Sequence, residues 1–242
     1  MKFVKDILFY LSVPKCVACG ERLVRSDRAL CKNCKLDYDN AIKRNCAHCA
    51  KPIYECSCTT EYLDAHYIHR HIKVFRYRPE AELPTNKLIY SLKKDNRDDV
   101  LDFLADELAS SVAIAFTGTS DFVFTSVPRR RAAKVKYGID HAALLSKRVS
   151  EKLGAKYQKT LISKSKNEQK LSKNREERMK NARFDYIHKR VDLSGKTVVL
   201  IDDVVTTGAS MSVAAALLKG AGAKRIIGAS LAIAYNDISL KV

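Results

Sequence analysis

The chain has 242 residues, 46% hydrophobic and 29% charged, a composition that supports one sizeable folded core and excludes a disordered chain or a helical membrane protein. Its formal net charge is +17, and the excess is concentrated: residues 129–190 hold roughly 20 Lys/Arg against about 6 Asp/Glu. Such a segment points to polyanionic partners, phosphates or nucleic acid or both, with a lysine-rich solvated surface as the plain alternative.

The opening "MKFVKDILFYLSV" places Phe3, Val4, Ile7, Leu8 and Leu11 on one helical face. Asp6 precedes a short apolar run and no small-residue cleavage site follows, so an amphipathic helix is expected rather than an export signal. No apolar run reaches bilayer-spanning length. The expected location is therefore cytoplasmic.

All 8 cysteines fall between positions 16 and 58, in pairs: Cys16 and Cys19, Cys31 and Cys34, Cys46 and Cys49, Cys56 and Cys58. The pairs "CVAC" and "CKNC" are separated by eleven residues that include Gly20, the arrangement of a zinc ribbon. There, two tight turns each present two thiolates and four sulfurs close a tetrahedron round the metal. "CAHC" followed by "CSC" makes a second, less regular quartet, in which His48 is an alternative ligand. A disulfide framework is the competing reading, and it requires an oxidising compartment. Four protein ligands leave no open position, so the zinc would be structural and would supply folding energy to a segment too short for its own core. His69 and His71 share one face of a strand in "HYIHRH" and lack a third spaced ligand, so packing or surface roles are expected.

Beyond the cysteines, "YIHRHIKVFRYRP" reads as strand-like, and "TNKLIYSLKKD" and "DVLDFLADELASSVAIAF" as helices. "DFVFTSVP" is a buried strand ended by proline, and residues 140–153 form a helix stopped by Gly154. "KYQKTLIS" and "KTVVLIDD" are strands, "ASMSVAAALLKGAGA" a helix, and "RIIGASLAIA" a strand. The alternation predicts an α/β domain with a parallel sheet flanked by helices. The expected division is a helix and zinc-binding module at 1–60, a connecting strand segment at 61–84, and the α/β domain at 85–242. Residues 163–184, "SKSKNEQKLSKNREERMKNARF", suit a basic loop or hairpin that closes over a charged substrate as well as they suit a charged helix.

"VVLIDDVVTTGAS", residues 198–210, carries the sharpest chemistry. In a parallel sheet, ligands bind where strands end and loops enter helices. The N–H groups opening the next helix, with the hydroxyls of Thr206, Thr207 and Ser210 and a permissive Gly208, make a phosphate cradle. Asp202 and Asp203 can accept paired hydrogen bonds from vicinal hydroxyls such as those of ribose. Neither a Walker A loop nor a dinucleotide fingerprint is present.

This stretch resembles the phosphoribosyl pyrophosphate (PRPP) signature of type I phosphoribosyltransferases. "P-x-C-x-x-C" at Pro14 to Cys19, the paired cysteines and the α/β domain together resemble the ComF (ComFC) family of competence proteins. "TSVPRRR" is similar to that family's Val-Pro loop, and Gln169, Leu171, Arg178, Asn181 and Phe184 to its Gln-Leu, Arg, Asn, Phe pattern. "KYGIDHA" departs from the family's Arg-Gly-Phe-Asn-Gln run, with Asp140 and His141 in place of Asn and Gln, which bears on ligand selectivity.

The resemblance implies ribose contacts from Asp202 and Asp203, and a 5′-phosphate site at Thr206, Thr207, Gly208, Ala209 and Ser210. It implies a pyrophosphate loop at Ser126 to Arg130 with Arg129 as a ligand, and further pyrophosphate contacts from Lys93 and Arg178. It implies magnesium with PRPP, and a role in natural transformation, handling incoming single-stranded DNA with a helicase and the inner-membrane uptake machinery. Three readings stay open: transfer of phosphoribosyl to an acceptor, non-catalytic PRPP or nucleotide sensing by a DNA-binding accessory, and nucleotide salvage. No residue stands out as a catalytic base.

Overall fold

Strand and helix alternate along most of the chain, as the apolar periodicity requires. In chain order the elements are α1 (Lys32–Lys43), β1 (Thr59–Thr60), α2 (Glu61–Asp64), β2 (Arg70–Tyr77), α3 (Pro84–Lys94), α4 (Asp98–Ala115), β3 (Phe122–Ser126), α5 (His141–Lys152), β4 (Lys156–Tyr157), β5 (Leu161–Ser163), β6 (Phe184–Tyr186), β7 (Thr197–Val205), α6 (Ala209–Gly220), β8 (Arg225–Ala234) and β9 (Leu240–Lys241). The computed structural model describes residues 14–25, 27–46, 49–53, 55–64, 67–77, 83–116, 122–129, 138–163, 184–187, 191–234 and 240–241. The amphipathic opening and most of the basic 163–184 segment, with Gln169, Leu171, Arg178 and Asn181, lie outside these residues, as do His48 and Arg130.

Five strands form one sheet in the order β2-β8-β7-β3-β4, every neighbouring pair parallel. A parallel strand is covered on both faces, and this explains why β7 and β8 read as almost unbroken apolar runs. In β7, Val199 and Ile201 face a core built with Leu88 and Leu92 of α3, Leu101, Leu104 and Leu108 of α4, and Leu145 and Val149 of α5. Val198 and Leu200 face the other way, onto Met211, Ala214 and Leu218 of α6. Each such aliphatic side chain, fully buried, contributes about 1.5–3 kcal/mol. The opposite assignments of neighbouring residues follow from the period of two along a strand.

The cysteine-rich region is built onto this sheet. Cys16, Leu23, Leu30, Cys31 and Tyr38 belong to the same buried cluster as α3, α4 and α5. Tyr38 meets Phe103 edge-on at a ring distance of 5.3 Å. Residues 70–77 form the β2 edge strand, paired with β8 over their length.

"KYQKTLIS" forms two strands instead of one. β4 pairs with β3, whereas β5 forms an antiparallel pair with β6. The break has a physical cause: the hydroxyls of Thr160 and Thr125, both buried, lie 2.8 Å apart, and Gln158 N donates to Phe124 O at 2.8 Å. Thr160 O accepts from Ile187 N at 2.8 Å, so from Thr160 onward the chain pairs with the β6 segment, in the hairpin that flanks the basic segment. Among the described residues, no helix is long and apolar enough to cross a membrane.

Candidate functional site

β3 stays paired with β7 only as far as Ser126 opposite Ile201, where Val127 N donates to Ile201 O at 2.9 Å. On its other side β7 remains paired with β8 to Val205 opposite Ile233. The expected strand end at the acids is thus moved: β7 runs past them to Val205. Asp202 and Asp203 sit where one neighbour has left and the other remains, at the carboxyl end of the sheet, the place where a parallel sheet opens a crevice to ligands.

The two carboxylates have different surroundings. Asp203 lies on the α3 side, with Lys93 Nζ 3.3 Å from its Oδ2. Lys93 belongs to the last turn of α3, so that helix delivers a cation to the crevice. Asp202 accepts from Asp203 N at 2.9 Å. Burial and the neighbouring Asp203 carboxylate push Asp202 well above the usual carboxylate range, with Lys93 acting against them. A carboxylate in that position is stabilised by an arriving cation or by hydroxyl donors.

Thr206, Thr207 and Gly208 turn the chain into α6, with Ala209 and Ser210 as its first residues. Gly208 caps the helix at φ +80°, a left-handed conformation. A Cβ there would stand 2.5 Å from Thr60 Oγ1 and 2.7 Å from Leu63 Cγ, so the β1–α2 segment lies directly on the turn. Ser212 Oγ also donates to Tyr62 O at 2.7 Å. Ala209 N, the first of α6, donates to Thr207 Oγ1 at 3.4 Å, and the N–H groups that open a helix are suited to receive an anion.

Ser126 ends β3, and Arg129 follows three residues later. Arg129 Nη1 donates to Ile139 O at 3.1 Å and to His141 Nδ1 at 2.6 Å. Arginine can only donate, so His141 Nδ1 accepts and its Nε2–H donates to Asn96 Oδ1 at 2.7 Å. Burial, and then the Arg129 guanidinium, hold the imidazole below the usual histidine value and keep it neutral. Asp140 caps α5, accepting from Ala143 N. In "KYGIDHA", Asp140 therefore starts a helix and His141 orients Arg129. Asn96, at φ +52° just beyond α3, gave no sequence signal beyond that of a helix terminus. A cavity of about 340 Å³ lies beside Arg129, with Ser126, Tyr157, Lys159 and Ser163 on its walls.

Both cysteine quartets converge. Cys16, Cys19, Cys31 and Cys34 bring their sulfurs within 4.8 Å of one another, and so do Cys46, Cys49, Cys56 and Cys58. All eight thiols are free, so no disulfide framework forms. Burial and the neighbouring sulfurs push Cys34 well up and Cys58 up to about 12, so four thiolates need a cation among them. Four converging sulfurs are the donor set of a tetrahedral zinc site, and both clusters fit that metal. Arg76 Nη2 donates to Cys46 Sγ at 2.8 Å and Cys56 Sγ at 3.5 Å. Lys73 Nζ donates to the carbonyls of Cys56 at 2.8 Å and Cys58 at 2.6 Å. Neither residue was legible as a cluster partner in the sequence. His69 is exposed, whereas His71 is buried with Nε2 3.0 Å from Ser230 Oγ.

Residues 139–238 match the family model for the phosphoribosyl transferase domain. No curated protein matches the chain. Among solved structures, a hypoxanthine phosphoribosyltransferase from Staphylococcus aureus is 13% identical with a TM-score of 0.38, over 58% of this chain and 69% of that one. A purine phosphoribosyltransferase from Pyrococcus horikoshii Ot3 is 21% identical with a TM-score of 0.36, over 55% and 72%. The glutamine PRPP amidotransferase from B. subtilis, complexed with ADP and GMP, is 17% identical with a TM-score of 0.39, over 59% of this chain and 30% of that one. The C-terminal part of the chain is a type I phosphoribosyltransferase domain on a five-stranded parallel sheet, joined to two N-terminal four-cysteine clusters.

Proposed function

We propose that the chain binds PRPP with magnesium at the crevice beside β7, and that it acts in natural transformation as a ComF-type protein handling single-stranded DNA. The observation that carries the PRPP reading is the convergence of Asp202 and Asp203, the Gly208 turn opening α6, Lys93 from α3 and Arg129 from the end of β3. Asp202 and Asp203 receive the ribose hydroxyls, and residues 206–210 receive the 5′-phosphate. Ser126, Arg129 and Lys93 face the pyrophosphate, joined by Arg178 from the basic segment. The raised Asp202 suits a magnesium-bearing ligand, and the metal supplies neutralisation of the leaving pyrophosphate. The protein's own contribution is positioning and charge stabilisation, with His141 holding the Arg129 fork in place.

Calorimetric titration of PRPP with magnesium tests this reading on the wild type and on Asp202→Ala/Asp203→Ala. Micromolar binding by the wild type is expected, with a loss of at least about 100-fold in the double variant, about 2.7 kcal/mol. Absence of binding by folded wild type, or equal binding by the variant, overturns it.

The net charge of +17 favours a DNA role alongside PRPP binding, whether PRPP is consumed or sensed. Single-stranded DNA affinity is expected to fall steeply with salt, by about 0.7 in the log–log slope for each phosphate neutralised. A nucleotide-salvage enzyme would instead bind one free base tightly and DNA weakly. A flat salt dependence together with tight base binding would decide for salvage.

A further inference from the structure

The second four-cysteine cluster stands against the same end of the sheet as the phosphate turn, through a chain of contacts. Lys73 holds the Cys56 and Cys58 carbonyls from β2, and Arg76, also on β2, holds the Cys46 and Cys56 sulfurs. Lys73 lies opposite Ser230 on β8, and Ser230 opposite Asp202 on β7, so the anchor and the ribose-facing acid occupy one row across the sheet. Cys58 runs straight into Thr59 and Thr60, and the segment ends with Leu63 against Gly208 and Tyr62 O accepting from Ser212 of α6. Thr60 Oγ1 is buried there with no hydrogen-bond partner among the described residues. Holding a polar group in such a place requires support from outside it, because an unpaired buried hydroxyl opposes the packing.

We propose that metal held by Cys46, Cys49, Cys56 and Cys58 clamps the phosphate turn, so that PRPP binding depends on the metal content of this cluster. Filled, the cluster fixes Cys58 and presses Thr60 and Leu63 onto Gly208, holding residues 206–210 in the anion-binding conformation. Without its metal, the segment 59–63 loses its anchor, and the turn opens. Arg76 acts as a positioning residue: its guanidinium offsets charge on the thiolates from the sheet side, as outer-shell donors do at metal sites. The clamp regulates the PRPP site proposed above and so rests on that reading for its ligand, but its mechanical part does not.

The test uses the full chain carrying Cys49→Ala, Arg76→Met or Arg76→Lys, with zinc content, amide hydrogen exchange and PRPP titration with magnesium measured on each. Cys49→Ala is expected to lose one equivalent of zinc, to raise exchange over 206–212 at least tenfold while 199–201 stay protected, and to weaken PRPP binding at least tenfold. Arg76→Met keeps every cysteine. It is expected to lose zinc to a chelator at about tenfold lower concentration, with exchange over 206–212 rising in step, and Arg76→Lys is expected to restore part of both. If Cys49→Ala fails to fold, the Arg76 pair decides. Loss of the zinc equivalent with unchanged exchange over 206–212 overturns the clamp. Wild type that fails to bind PRPP while exchange follows zinc overturns the PRPP reading and leaves the clamp standing.

Discussion

Gly208 and Gly154 both adopt left-handed backbone, at φ +80° and +63°, but only Gly208 is crowded; nothing lies within 4 Å of a Cβ built at Gly154. Gly154→Ala is therefore expected to lose only the backbone share, roughly 1 kcal/mol, whereas Gly208→Ala adds a collision with Thr60 and Leu63 and should cost about 3 kcal/mol. Urea midpoints at unchanged slope would report both, and equal losses would show that the segment yields freely. His71 supplies a second residue-scale prediction. Burial, and then Lys73, lower its imidazole to about 3, so the folded state holds it neutral. Above pH 6.5 folded and unfolded forms are both neutral, and full stability is present. As pH falls from 6.5 toward 3 only the unfolded chain takes up the proton, and stability drops by about 1.4 kcal/mol per pH unit. His141, also lowered, adds to this slope. His71→Asn should remove one proton's share of it, which chemical denaturation at pH 7.0 and 5.0 would resolve.

Charge on helices and charge on strands carry different weight at the scale of elements. α4 and α5 are laced by Arg148 to Asp98 and Asp102 and by Lys152 to Asp102 and Asp106, at 2.6, 3.1, 3.2 and 2.7 Å. These partners are partly exposed, and Arg148→Ala should cost less than about 1 kcal/mol. Lys73 is buried on β2, and Lys73→Met would leave two buried carbonyls unpaired, at a cost on the order of 3 kcal/mol. Thermal unfolding of the two variants, side by side, checks the ordering. The same contrast explains what was legible beforehand. Runs such as "VVLI" and "RIIGASLAIA" declare buried strands because their pattern is local, and the cysteine pairs declare knuckles for the same reason. The split in "KYQKTLIS" depends on Thr125, far away in sequence, and the Arg129–His141–Asn96 chain joins the segment after β3, the first residue of α5 and the turn after α3. No local pattern records such meetings. The strand leading to Asp202 and Asp203 was legible, but its extra length beyond them is set by β8, not by their own residues.

For the whole molecule, the question is whether the cysteine region folds with the sheet or beside it. Cys16 and Cys31 are 3% and 6% exposed and lie in one apolar cluster with α3, α4, α5 and the β7–β8 face. Arg28 pairs with Asp106 of α4 at 2.7 Å, and Arg97 donates to Lys15 O at 2.9 Å, so polar ties reinforce the same junction. A metal bound at the first cluster therefore stabilises an apolar surface shared with the domain, rather than a separate bead. Structural zinc supplies apparent folding free energies of about 10–16 kcal/mol in isolated fingers, of which a domain with its own core depends on a fraction. If about a third of the lower value is transmitted, loss near 3 kcal/mol lowers the melting temperature by about 10 °C at this chain length. Chelation of the full chain should thus shift one cooperative calorimetric transition downward as a unit. Two separated transitions, with the upper one unmoved by the chelator, would show that the cysteine clusters and the sheet fold independently despite their shared core.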